Sequence, residues 1–209
     1  MNQELVKPVS ERRKAPRQKR AQQMVEKILD TTKIILRTEG LDYLSTHAVA
    51  EKGGIAVGTI YRYFPNKQAL LLAIYEELSQ SVLETCDKFQ TEENLTLPKE
   101  EFFNQLFISM KSAELDDHIG SEIEKAIHIF PELHERDTQH ACKLSEKIAP
   151  LLTDFGSKWP KERLQNVVKF IFCVDSSTWT YRRTFCDNPD ETLQMELTAI
   201  NSLLMSCFD

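Results

Sequence analysis

Residues 48–70, AVAEKGGIAVGTIYRYFPNKQAL, constrain this chain more than any other stretch. They read as a short helix, a glycine turn, a second short helix and the start of a third. Ala50 stands where the two short helices must approach closely, which calls for a small side chain. Gly53 and Gly54 are expected to supply the positive φ of a tight turn between helices. Val49, Ile55 and Ile60 are the expected apolar pegs, which leaves Val57, Thr59, Tyr61, Arg62 and Tyr63 to face outward. This is the pattern of a helix-turn-helix, whose second helix enters the DNA major groove.

A formal net charge of −6 looks wrong for a polyanion binder, but the charge is unevenly spread. Residues 1–67 hold thirteen Lys or Arg against seven Asp or Glu, a balance of +6, and the remainder carries −12. A basic first third joined to an acidic remainder suggests one domain for a polyanion and another for something else. Residues 1–20 carry seven basic and two acidic side chains, two prolines and almost nothing to bury. They are expected to form a disordered basic arm, either tracking phosphates or entering the minor groove, or serving only as a solubilising tail.

Hydrophobic spacing beyond the arm is helical throughout. Ala21, Met24, Val25, Ile28, Leu29, Ile35 and Leu36 recur at three and four, and Gly40 stands in the C′ position that ends such a helix. Ser45 can cap a short helix over 46–52, and a second short helix follows over 57–63. Pro65 and Asn66 mark a break, with Asn66 the N-cap of a long fourth helix that buries Leu71, Ile74, Leu78 and Val82. Similar stripes continue to the end, giving an all-α chain of about nine helices. The last two are expected over 161–186 and 190–207.

The block GIAVGTIYRYFPNKQAL also closely resembles the signature of the TetR (tetracycline-repressor-like) family of transcriptional regulators. The resemblance covers residues 20–70, with Gly40, Ala50, Gly54, GTIYRYF and Lys67 in place. It implies a helix-turn-helix DNA-binding domain of three helices over 21–66. The rest, 67–209, would be an effector-binding and dimerisation bundle, its first helix acting as connector. It further implies a homodimer through the last two helices, bound to double-stranded operator DNA. A small effector of unknown identity would release it, most often relieving repression. An activator, or a helical protein–protein interaction module, is the alternative. Gly53 departs from the family, which usually has alanine or leucine there.

By family position, Thr46 would offer a hydroxyl to a phosphate, and His47 would reach a base edge or a phosphate. Val57, Gly58 and Thr59 open the second short helix, where the backbone comes closest to DNA, and an apolar Val57 suits a thymine methyl. Tyr61 and Tyr63 offer phenolic hydroxyls to phosphates, the alternative for either being to pack between helices one, three and four, and Lys67 offers a charge at the groove edge. Arg62 suits either direct base readout or a phosphate clamp.

For the effector, Phe103, Phe107, Met110 and Ile127 are candidate walls of a mostly apolar pocket, which favours a lipophilic or aromatic compound. Asp175 shares a helix face with Ile171, Phe172, Thr178 and Trp179, so its charge needs a ligand, a partner across a dimer, or solvent. Asp175 and Trp179 join the candidate set. Five cysteines (86, 142, 173, 186, 207) lie far apart without metal-type spacing and are read as reduced thiols, most of them core-filling. His134 and His140 are off helical ligand spacing, so neither a metal nor a cofactor is expected. No nucleophile–base pair, phosphate loop or paired-carboxylate motif stands out, which argues against an enzyme. With no leader and no long apolar run, the expectation is a soluble cytoplasmic protein.

Overall fold

The computed structural model describes residues 19–112, 117–185 and 188–209; for 117, 179, 180, 182, 183 and 189 it describes the backbone alone. The basic arm expected over 1–20 lies, but for its last two residues, outside the described residues. These comprise nine α-helices: α1 (Lys19–Thr38), α2 (Thr46–Gly53), α3 (Val57–Tyr63), α4 (Lys67–Phe89), α5 (Lys99–Ser112), α6 (Asp117–Ile129), α7 (Pro131–Asp154), α8 (Lys161–Phe185) and α9 (Pro189–Met205). Short 3-10 turns lie at Asn94–Thr96 and Ser206–Phe208, and no strand occurs among the described residues. None of the described helices is long and apolar enough to cross a membrane.

The chain divides into two compact units, one of residues up to 77 with 125–134, the other of 78–124 with 135–209. The N-terminal half of α4 and the α6–α7 junction thus group with the helix-turn-helix. In this first unit α1 buries Val25, Ile28, Leu29, Ile35 and Leu36 along one face. Thr31 and Thr32 lie on that face too. Their hydroxyls donate back to the Lys27 and Ile28 carbonyls, both at 2.8 Å, so the polar atoms are satisfied inside the helix. Gly40, at φ 85°, ends the turn after α1 and donates its N–H to the Ile35 carbonyl at 3.0 Å.

The second unit is built around a continuous apolar core from α4, α5, α7, α8 and α9, including Phe102, Phe103, Leu106, Leu152, Leu164 and Leu204. Its aromatic centre is Phe102, edge-on to Phe103 with centroids 5.2 Å apart and tilted against Phe155 at 4.6 Å. The C-terminal 3-10 turn seals this core. Cys207 is fully buried, and the Ser157 hydroxyl donates to its carbonyl at 2.6 Å. Cys86, Cys142, Cys173 and Cys207 are free thiols. Burial pushes the Cys86 thiol up to about 11 and raises Cys207 as well, which keeps both protonated and unreactive. Cys186 lies outside the described residues.

Candidate nucleic-acid interface

Local chemistry sets the frame of the helix-turn-helix. Ser45 caps α2, its Oγ accepting the Ala48 N–H at 3.0 Å. At the other end Gly54 takes the left-handed conformation, φ 58° and ψ 43°. That turn brings the Ile55 N–H onto the Ala50 carbonyl at 2.9 Å and points the chain into α3. Only one of the two glycines expected at positive φ is used this way. Gly53 stays helical, and a Cβ on it would sit 3.0 Å from Ile55 Cδ1 and 3.1 Å from Thr31 Oγ1. It is small because side chains crowd it, while Gly54 is glycine because its backbone demands it. Asn66 caps α4 through the Ala69 N–H at 2.9 Å.

Val49, Ile55 and Ile60, the expected pegs, are buried, as are Ala50 and Phe64. His47, Gly58, Tyr61 and Arg62 are exposed, and Val57 and Thr59 are half-buried. Two residues expected at the surface are buried. Tyr63 is only 9% exposed, because it lies one turn after Ile60 and shares that residue's inward face. Its hydroxyl stays within reach of Arg62, whose Nη2 donates to it at 3.1 Å while the guanidinium lies 4.8 Å from the ring centroid. Thr46 is 6% exposed, and its hydroxyl donates to Tyr61 Oη at 3.0 Å. The His47 and Tyr61 rings also meet in a T-shaped arrangement, with centroids 6.3 Å apart and planes at 74°. Lys67 opens α4 half-buried, its ammonium 5.8 Å from the Phe130 ring centroid in the same unit.

The candidates named for a second site divide between the units. Ile127 is buried in the first unit; Phe103, Phe107, Met110 and Asp175 belong to the second. Phe103 packs among Phe102, Phe155 and Phe208 in the core. Trp179 falls in α8, but its side chain lies outside the described residues. Asp175 is nearly buried and has found a partner on its own chain: Lys111 Nζ donates to Oδ1 at 2.6 Å. Lys111 also lies 3.3 Å from Oε1 of the fully buried Glu196, and Thr178 Oγ1 approaches the same oxygen at 3.1 Å. The Lys111 ammonium stands 5.8 Å from the Phe107 ring centroid.

Lys111 and Glu196 are absent from the sequence-derived candidates, yet each left a trace. Lys111 continues the Phe103, Phe107 row at a spacing of four, and Glu196 sits between Leu193 and Leu197 on a stripe ending in Ile200. A charge inside an apolar row was the available signal. Among the described residues no group of three or more His, Cys, Asp or Glu is arranged to hold a metal.

Residues 28–74 match the model of the bacterial regulatory proteins of the tetR family. Over 48 residues the chain is 46% identical to the HTH-type transcriptional repressor KstR of Mycolicibacterium smegmatis, a stretch covering 23% of this chain and 24% of that protein. The match therefore spans about a quarter of that relative's length. Among solved structures, a transcriptional regulator from Rhodococcus sp. Rha1 superposes with a TM-score of 0.68 at 12% identity, covering 87% of this chain and 96% of that one. The fatty acid degradation regulator FadR of Bacillus halodurans superposes at 0.63 and 20% identity, covering 87% and 94%. At these identities the likeness is one of fold: an N-terminal helix-turn-helix followed by a helical C-terminal domain.

Proposed function

Through residues 28–74 the chain belongs to the tetR family of bacterial regulatory proteins, and on that premise we propose that it is a sequence-specific DNA-binding repressor that works as a homodimer on operator DNA in the cytoplasm. One observation carries the reading. A packed three-helix frame holds His47, Val57, Gly58, Thr59, Tyr61 and Arg62 toward the surface on α2 and α3, in the third of the chain that is net positive. In this reading α3 lies in the major groove, where Val57 meets a thymine methyl and Arg62 swings from Tyr63 to a base edge or a phosphate. Lys67 and Tyr61 contact the sugar–phosphate backbone.

In vitro selection from a random duplex pool tests the reading directly. The selected duplex should bind far more tightly than a scrambled one of the same composition, with affinity falling steeply as salt rises. Equal affinity for both duplexes refutes the regulator and leaves the helical interaction module. Lys67→Ala should flatten the salt dependence by about one unit of slope.

The dimer is assigned to α8 and α9. Phe170, Tyr181 and Phe185 project from α8, Phe185 being 70% exposed, and Met195 from α9. Large apolar side chains so displayed along the last two helices suit an isologous four-helix interface with a second copy. Phe170→Glu with Phe185→Glu should yield a folded monomer in sedimentation; a dimer unchanged by both removes this assignment. The effector proposed is small and lipophilic or aromatic. Support comes from Phe107 and Met110 beside the half-buried Lys111 and Asp175 and the buried Glu196, apolar side chains with few oriented polar groups. Native mass spectrometry of protein purified from its host should show a bound apolar species that dissociates on adding the selected duplex.

A further inference from the structure

Tyr61 is the exposed aromatic of α3, 40% accessible, yet its phenol is held from two sides. The buried Thr46 hydroxyl donates to Oη at 3.0 Å, and the His47 ring stands against the Tyr61 ring at 74°. We propose that Thr46 is a positioning residue for DNA binding, its hydroxyl fixing the Tyr61 phenol so that the phenolic O–H points outward to a backbone phosphate. The inference rests on the DNA-binding reading above and deepens it.

The chemistry leaves little choice of direction. Phosphate oxygens only accept, so Tyr61 must spend its single hydrogen on the phosphate, and its oxygen is then open to a donor. Thr46 supplies that donor from α2. The sequence Thr46 O–H, Tyr61 O–H, phosphate is a one-way chain in which each bond polarises the next. Thr46 opens α2 immediately after the Ser45 cap, so its backbone is held by the helix start, and its branched Cβ limits the rotamers of the hydroxyl. At 6% exposure its side chain has almost no surface of its own to offer a phosphate, so its effect passes through Tyr61. The same bond ties α2 to α3 beside the groove-facing residues, and His47 blocks one swing of the ring. Because phosphate contacts carry no sequence information, the effect is uniform across operators.

The test is a double-mutant cycle on the full chain, using the duplex recovered by in vitro selection. Thr46→Val keeps the shape and removes the hydroxyl; it should weaken binding about three- to tenfold, the worth of one neutral hydrogen bond. Tyr61→Phe should weaken it at least as much. The double variant should be no weaker than Tyr61→Phe to within about twofold, because Thr46 has nothing left to orient. Thr46→Ser should restore most of the affinity, and neither single variant should change the base preference or the salt slope, since no cation is lost. A Thr46→Val loss of the same size in the Tyr61→Phe background overturns the positioning role, as does no loss at all in the wild-type background. If the wild-type chain retains no duplex, the DNA-binding reading falls and this inference with it. Binding with additive losses removes this inference alone.

Discussion

Replacing the two adjacent glycines of the helix-turn-helix one at a time should separate two physical reasons for having no side chain. Gly54 sits at φ 58° and ψ 43°, and a Cβ there would meet nothing within 4 Å. The penalty for Gly54→Ala is then purely backbone, about 1–2 kcal/mol for an L-residue in the left-handed region. A stiffer unfolded chain returns about 0.4–1 kcal/mol, leaving a net loss of roughly 1 kcal/mol. Gly54→Asn should lose about half of that, because asparagine visits this region more readily. At Gly53 the backbone is helical, and alanine gains up to about 1 kcal/mol of helix propensity, less at this terminal position. Against that gain stand Ile55 Cδ1 at 3.0 Å, Ile55 Cγ1 at 3.3 Å and Thr31 Oγ1 at 3.1 Å from the new Cβ. Thr31 yields poorly, since its hydroxyl is bonded to the Lys27 carbonyl, and Ile55 is itself buried. Overpacking of this kind costs about 1–3 kcal/mol, so Gly53→Ala should be net destabilising by about 1 kcal/mol. Ile55→Val removes the nearest atom; it should itself cost about 1 kcal/mol and at least halve the further cost of Gly53→Ala. Urea unfolding followed by circular dichroism, at one fixed protein concentration, gives all five free energies. Gly54→Ala as stable as wild type, or Gly53→Ala stabilising in both Ile55 backgrounds, would refute the reasoning.

Other perturbations probe the rest of the molecule. Lys111→Met removes the ammonium shared by Asp175 and Glu196 and should cost about 1.5–3 kcal/mol, whereas Lys33→Met at the exposed Lys33–Glu77 pair should cost under about 1 kcal/mol in the same urea assay. Burial, with Lys143 nearby, pulls His140 down to about 4 from its ordinary 6.5. The unfolded chain therefore takes up a proton that the folded chain refuses. This contribution is intact above pH 6.5 and is lost as pH falls toward 4, by up to about 3 kcal/mol; His140→Leu should flatten that part of the stability–pH curve. Arg62→Ala should weaken binding to the selected duplex by about 1–3 kcal/mol and relax preference at one base pair if the contact is direct readout. An equal loss on every duplex would instead make Arg62 a phosphate clamp. Ser157→Ala, which leaves the buried Cys207 carbonyl without its 2.6 Å donor, should lower stability by about 1–3 kcal/mol.

The helices and their boundaries were legible in the residues because the signals that set them act within a turn or two. Spacings of three and four show which face of α1 is buried, and Ser45, Asn66 and Gly40 mark starts and stops by bonding backbone groups three to five residues away. The same local reasoning placed Ala50, Ile55 and Ile60 inside, and it read residues 48–70 as a helix-turn-helix. What it could not reach was any outcome that depends on how one helix crosses another. The Thr46 hydroxyl resting on Tyr61 fifteen positions later and the crowding that reserves Gly53 both arise where α1, α2 and α3 meet. Asp175 shows this most plainly. Sequence marked it as a charge on an apolar face, but Lys111 lies sixty-four positions away and Glu196 on yet another helix. A buried charge announces that it needs a partner; only the packing of α5, α8 and α9 decides which one it gets.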